Sequence, residues 1–208
     1  MSDNAFDLAI VDPPYGIGAG GKGFINGTSA TTKSYYKEVD WDIAPPPKEY
    51  FAELRRVSKH QIIWGGNYFL DHLGKCRAFI IWDKTIHGNS YADCEMAWTS
   101  MDRVARIFRQ NICEVNLDGR IHPTQKSVSL YKWLLQNYAK EGDTILDTHL
   151  GSGSSRIAAY DLGFDFTGCE LDADYFEAQE KRFADHIKQP KLFEVPKAIY
   201  AQELLAYA

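Results

Sequence analysis

The chain has few cysteines and no long apolar run. Its four cysteines, Cys76, Cys94, Cys113 and Cys169, are scattered over 208 residues without a C-x-x-C spacing. That usage argues against a disulfide framework or a zinc site, and it predicts a chain without bound metal in a reducing cytoplasm. No apolar stretch approaches the ~20 residues that cross a bilayer, so no membrane partner is expected. The opening "MSDNAFD" is acidic and lacks the basic start and apolar stretch of a signal peptide. Internal repeats and linker-like composition are also missing. What remains is ordinary for a globular protein, 45% hydrophobic and 25% charged, and the length suits one domain (1–208) with a substantial core.

Net charge is −5, which taken alone argues weakly against a nucleic-acid partner, but the charge is unevenly spread. Residues 101–140 hold seven Lys/Arg against three Asp/Glu, whereas residues 141–185 hold three against eleven. A basic middle beside an acidic end allows one anion-binding face, although ordinary solvated charge gives the same counts.

Strands and helices alternate along the chain. "FDLAIVD" (6–12) reads as a buried strand ended by Pro-Pro, and residues 16–47 as a long loop, which at that length is functional or disordered. "PKEYFAELRRVSK" (47–59) carries Tyr50, Phe51, Leu54 and Val57 at helical spacing. Strands follow at 61–66, 77–84 and 93–100, and at 103–108, where the spacing also fits a helix. "SVSLYKWLLQNYA" (127–139) is a helix, and 143–183 reads strand, Gly-rich turn, helix, strand, helix. This order predicts an α/β fold: a Rossmann-like, mainly parallel sheet with helices on both faces.

Two stretches carry chemistry. In "ILDTHLGSGSSRIAAY" a strand runs through Gly151 and Gly153 into a helix, and Glu170 closes the next strand seventeen residues after Gly153. Glycines there let backbone approach a ligand, and an acid at that distance can accept from both ribose hydroxyls. Arg156 breaks the full dinucleotide fingerprint, and a turn of this kind also serves packing alone. The second stretch is "IVDPPYGIGAGGKGF" (10–24), a rigid acidic tip followed by five glycines between Gly16 and Gly23.

Together these motifs resemble the amino-group DNA methyltransferases, in the permuted class whose catalytic motif precedes the cofactor motif. Asp12-Pro13-Pro14-Tyr15 matches the family's Asp/Asn/Ser-Pro-Pro-aromatic motif. "DTHLGSGS" (147–154) matches its cofactor motif, Gly168, Glu170 and Tyr175 match Gly-x-Glu-x-x-x-x-Tyr, and "HPTQKS" (122–127) matches His-Pro-Thr-Gln-Lys-Pro. "IIWGGNYF" (62–69) and "IIWDK" (80–84) are similar to the phage-type members. The resemblance covers roughly residues 6–185. It departs at Thr148 and His149, which replace Pro and Phe, and at Ser127, which replaces Pro. His149 thus lines the pocket less hydrophobically.

The resemblance implies S-adenosylmethionine as cofactor, a class I methyltransferase fold, transfer to N6 of a flipped adenine in double-stranded DNA, and a mobile glycine-rich loop after Tyr15 that closes on substrate. Asp at the first motif position favours adenine over cytosine N4. RNA adenine methylation and a catalytically weak nucleic-acid-binding subunit are the alternatives. It assigns Asp12, Pro13, Pro14 and Tyr15 to catalysis. The Asp12 carboxylate and Pro13 carbonyl accept the two amine hydrogens, and Tyr15 offers a stacking face. Asp147, His149, Gly151, Gly153, Ser154, Glu170, His122, Thr124, Gln125, Lys126 and Asn67 are assigned to the cofactor, although 122–126 also fit a helix start and Asn67 a helix cap. Lys22, Lys33, Tyr35, Tyr36 and Lys37, with Arg103, Arg106, Arg109 and Arg120, either meet DNA or are ordinary solvated residues. Residues 85–121 stand where the family carries a target-recognition region. Their shortness predicts a homodimer, or modest specificity. The five tryptophans and His60, His72, His87 and His186 are read as core or surface residues.

Overall fold

The computed structural model describes residues 1–19, 41–86, 88, 92–117 and 119–189. Seven strands form one sheet in the order β5-β3-β4-β2-β1-β6-β7. They are β1 (Phe6–Val11), β2 (Ser58–Trp64), β3 (Ile80–Asp83), β4 (Cys94–Thr99), β5 (Arg106–Arg109), β6 (Thr144–Asp147) and β7 (Asp165–Gly168). Only β4 runs against its neighbours, pairing antiparallel with β2 and β3; every other pairing is parallel.

The central strand shows why the sheet is covered twice. Leu8 and Ile10 point into one apolar cluster, Ala9 and Val11 into another, and all four are essentially inaccessible. A strand apolar on both sides must be covered on both sides. On the first face lie α4 (Val128–Tyr138) and α5 (Ser154–Leu162), with Leu130, Leu134, Leu135 and Ala158 packed against Trp64, Trp82 and Ile145. On the other lies α1 (Lys48–Val57), whose Phe51, Leu54 and Val57 fall on one stripe. The chain also forms α2 (Leu70–Leu73), α3 (Ile112–Leu117) and α6 (Ala173–Lys188). The first two have too few turns for a periodic pattern to reveal them.

Local chemistry sets the element ends. Asp172 caps α6 by accepting from the backbone N–H groups of Asp174 and Tyr175. Gly163 adopts φ +76° beyond α5, which lets Phe164 N–H reach back to the Ala159 carbonyl. The stretch at 103–108 resolves as strand, not helix, because Ile81 and Trp82 of β3 align with Ile107 and Phe108. β2 begins directly after α1, three residues before its expected start. There Ser58 Oγ donates to the Leu54 carbonyl, and Gln61 donates to Ser58. Trp64, Trp82 and Trp98 are buried, as their type suggests, whereas Trp41 and Trp133 are half-buried.

At the sheet's lower end Asp7 accepts from the Thr144 backbone and pairs with Lys59 at 2.5 Å, joining β1 to β6 and β2. The Lys59 contact and the Thr144 hydrogen bonds hold the Asp7 carboxyl down at about 2.

Ser127 caps α4 from a fully buried position. Its hydroxyl accepts from Leu130 N–H at 3.1 Å and donates to Gln110. Ser127→Ala removes the cap and leaves Gln110 without that donor. It should cost about 1–2 kcal/mol, read as a lower urea midpoint at unchanged m-value.

Candidate active site

β1 lies where the order of strands reverses. The chain passes from β1 to β2 on one side, and from β6 to β7 on the other. In open α/β sheets the crevice outside the carboxyl ends of two such strands is where ligands bind. β1 ends there in Asp12-Pro13-Pro14-Tyr15 and β6 ends in Asp147-Thr148-His149, so the two motifs, 135 positions apart, share one sheet edge.

On the β1 side the side chains form a chain of charges. Asp12 Oδ1 accepts from the Tyr15 hydroxyl at 2.7 Å, and Asp12 Oδ2 accepts from Lys126 Nζ at 2.6 Å. Lys126 Nζ also lies 3.0 Å from Glu95, whose other oxygen meets Lys84 Nζ at 2.8 Å. The Lys126 side chain is 2% exposed and sits over the rings of Trp64 and Tyr15. Burial would discharge an isolated lysine, but the two carboxylates outweigh it and raise the Lys126 pKa. Burial likewise raises the carboxyl of Asp12, against the pull of Lys126. It would raise that of Glu95 too, but Lys126 and Lys84 together hold it at about 2.

Tyr15 is held from several sides. Its ring stacks on Tyr68 with centroids 5.1 Å apart, and a Cβ on Gly65 would come within 2.2 Å of it. Gly65 has φ +68°, so glycine is required there twice over. One stacking face of Tyr15 is therefore taken by Tyr68. Beyond Tyr15, buried Asp42 accepts from the backbone N–H groups of Gly16, Ile17 and Ala19. A cavity of about 790 Å³ opens over this tip; Asp12, Tyr15, Asn67, Trp82, Glu95 and Lys126 are among its walls.

The β6 side is arranged around backbone. Gly151 and Gly153 adopt φ of +51° and +72°, and Glu170 accepts from the N–H groups of Gly151, Leu171 and Asp172. Asp147 accepts from Ser155 Oγ at 2.6 Å and His149 N–H at 3.0 Å. Burial outweighs those donors and raises its carboxyl to about 7, with the charges of Asp12 and Glu170 adding to the rise. His149 meets Thr148 and Tyr50, and His122 packs edge-on against Tyr175. Burial lowers both imidazoles to about 4, so both are neutral at pH 7.

The structure thus groups Asp12, Pro13, Pro14, Tyr15, Asn67, Arg120, Thr124, Gln125 and Lys126 around the cavity. His122 stands next to the Gly151 turn, while Lys126, four residues on, reaches the Asp12 side. The Ser154 hydroxyl faces Ser152 and Arg182. Arg103 is tied to the end of α4 through the Asn137 carbonyl and the Tyr138 ring, and Arg109 pairs with Asp83 on the sheet edge. Arg106 is exposed on β5. Arg120 donates to the carbonyls of His122 and Pro123. Lys22, Lys33, Tyr35, Tyr36 and Lys37 lie outside the described residues, as does most of the expected closing loop. Among the described residues no group of His, Cys, Asp and Glu could hold a metal. No described helix is long and apolar enough to cross a membrane. Sequence reasoning passed over Glu95, Lys84 and Asp42. Glu95 lies in a strand pattern where an acid ordinarily faces solvent, and no local signal marks it.

Residues 81–181 match the N6/N4 methyltransferase family model, described as DNA methylase. The type II methyltransferase M.HpaI of Haemophilus parainfluenzae is 22% identical over 88% of this chain and 69% of its own length. M2.DpnII of Streptococcus pneumoniae is 39% identical over 61 residues, 29% of this chain and 23% of its own. Among solved structures, M1.HpyAVI in complex with SAM superposes with TM-score 0.56 at 20% identity, covering 86% of this chain and 89% of that one. The cytosine-N4-specific PvuII DNA methyltransferase gives 0.56 at 9% identity, covering 99% and 85%.

Asp147 provides a pH test. Its raised pKa means that the folded state holds a proton which the unfolded state releases near 3.8. Stability from this group is full below about 3.8 and falls as pH rises towards about 7. Asp147→Asn, which keeps an acceptor for Ser155, should flatten that decline when unfolding free energies are measured from pH 4 to 8.

Proposed function

We propose that the chain is an amino-group DNA methyltransferase that methylates N6 of adenine in DNA, using S-adenosylmethionine. The observation that carries this reading is the pairing of motifs at one sheet edge: the Asp12–Tyr15 tip over a cavity, beside the Gly151 turn with Glu170 beneath it.

The residues on the β6 side suit the cofactor. The backbone at Gly151 and Gly153 carries no side chain that would fend off a ligand, and Glu170 retains acceptor capacity beyond its three backbone bonds for ribose hydroxyls. Leu171 is fully exposed beside it, an apolar surface for a nucleobase. Neutral His122 and His149 add no positive charge that would repel a sulfonium. When bound, the cofactor supplies an electrophilic methyl group.

The remaining work falls to the Asp12 tip. An exocyclic amine is a poor nucleophile because its lone pair is delocalised into the ring. Asp12 and the Pro13 carbonyl accept its two hydrogens, which turns the lone pair out of conjugation. Pro13 and Pro14 restrict the backbone that aims those oxygens. Tyr15 donates to Asp12 Oδ1 and so orients the carboxylate as well as walling the cavity. Catalysis by such a site is mostly positioning and electrostatics. Residues 85–121 serve target recognition in this reading; Ile86, Cys94, Met96, Ile112 and Arg120 from this region line the cavity together with Glu95. Of the four arginines assigned to DNA, Arg106 is exposed on β5 and Arg120 lines the cavity. A homodimer would add recognition surface.

Asp12→Ala should abolish methyl transfer while S-adenosylmethionine affinity stays within about tenfold, a change of about 1.4 kcal/mol. Glu170→Ala should weaken the cofactor by about 1.5–3 kcal/mol by calorimetry. Mass spectrometry of nucleosides from treated DNA should show N6-methyl-2′-deoxyadenosine. N4-methylcytosine would replace the adenine assignment, and absence of methylation together with absence of cofactor binding would leave a nucleic-acid-binding subunit.

A further inference from the structure

The chain Lys84–Glu95–Lys126–Asp12 has a feature that the proposed reaction does not by itself require. Lys126 is buried and salt-bridged to two carboxylates at once, 2.6 Å from Asp12 and 3.0 Å from Glu95. Glu95 in turn is held by Lys84 from the end of β3. The four side chains come from just beyond β1 and β3, from β4 and from the turn before α4, and line the cavity.

We propose that Lys126 and Glu95 are positioning residues for methyl transfer: Lys126 keeps Asp12 ionised and its Oδ2 oxygen fixed, and Glu95 sets how much of the Lys126 charge Asp12 receives. The proposal rests on the methyltransferase reading of this site. The physical need is plain. Asp12 must present a carboxylate to the amine, because a protonated carboxyl would turn a donor towards it. Burial works against ionisation, and a nearby ammonium restores it. Tyr15 secures Oδ1, so Lys126 completes the restraint on the carboxylate plane. Glu95 competes for the same ammonium and adds a second negative charge near Asp12. Its effect on Asp12 therefore has the opposite sign to that of Lys126.

Other groups facing Asp12 do not blur this sign. Tyr15, Tyr50 and Tyr131 have raised pKa values and stay neutral. His122, near Lys126, is neutral above about 4. Asp147 on β6 is raised to about 7 and the charge of Asp12 adds to that rise, so each profile is also recorded in an Asp147→Asn background, which removes this titration.

The test compares Lys126→Gln, Lys126→Arg and Glu95→Gln with the full chain, from pH 5 to 9. Lys126→Gln should lower kcat at pH 7 by about tenfold or more and move the acid limb of the kcat profile to higher pH, with S-adenosylmethionine affinity within about threefold. Lys126→Arg should restore much of the limb's position. Glu95→Gln should move the limb to lower pH. Limbs that stay in place, or that move the same way in both Gln variants, overturn the proposal. So does a loss of cofactor affinity in Lys126→Gln that matches the loss of activity, which would make Lys126 a cofactor ligand. If Lys126→Gln does not fold, Glu95→Gln decides alone, since it leaves the Lys126–Asp12 pair intact. A ¹³C carboxyl titration of Asp12 by NMR, with the resonance identified by its loss in Asp12→Asn, reads the same shifts without turnover. Should the wild type methylate no nucleic acid, the methyltransferase reading falls, and the titration still accepts or rejects the role of Lys126 and Glu95.

Discussion

A lysine ammonium enclosed by protein must keep company with carboxylates or lose its charge, and much of the site follows from how Lys126 meets that demand. Its partners are Asp12 at the end of β1 and Glu95 on β4, with Lys84 beyond β3 balancing the second acid. Two lysines and two carboxylates close on one another, so the formal charges of the wall cancel. Removing one member of such a group leaves a buried charge unpaired, which costs far more than the pair contributes over an apolar substitute. The cluster therefore constrains four elements to one relative placement, and it does so at the mouth of the sheet where the strand order reverses.

The two sides of that crevice use different means. On the β1 side, side chains dominate: carboxylates, ammoniums and stacked rings, with Gly65 yielding space to Tyr15. On the β6 side the backbone dominates, with two positive-φ glycines and an acid that collects three N–H groups. A base carrying a weakly nucleophilic amine needs directional acceptors, whereas a nucleoside cofactor needs close backbone and a few polar contacts. The division matches the two ligands of the proposed reaction. Neutral histidines near the glycine turn and a net-neutral wall beside Asp12 leave few uncompensated positive charges near a positively charged cofactor.

Much of the architecture was legible in sequence, for definite reasons. Leu8, Ala9, Ile10 and Val11 form an unbroken apolar run, which only a strand covered on both faces can bury. Phe51, Leu54 and Val57 repeat at helical spacing. Ser127 and Asp172 are capping residues standing immediately before periodic segments. The elements that escaped, α2 and α3, are too short to show a period. β5 was ambiguous because Arg106-Ile107-Phe108-Arg109 fits either spacing, and only its pairing with β3 decides.

The sequence by itself determined the chemistry available: an Asp-Pro-Pro-Tyr tip, a Gly-x-Gly turn and a downstream Glu170, each a local arrangement of backbone constraint and functional group. These are legible because their residues lie within a few positions of one another. Only the tertiary structure decided which residues meet. Lys126 sits in a motif whose resemblance points to the cofactor, yet its side chain reaches Asp12, 114 positions away. Glu95 has no motif at all, and it becomes part of the wall because β4 runs antiparallel between β2 and β3 and brings it beside Lys126 and Lys84. The physical reason is that charge partnership depends on distance through space, which strand order sets and local spacing does not encode.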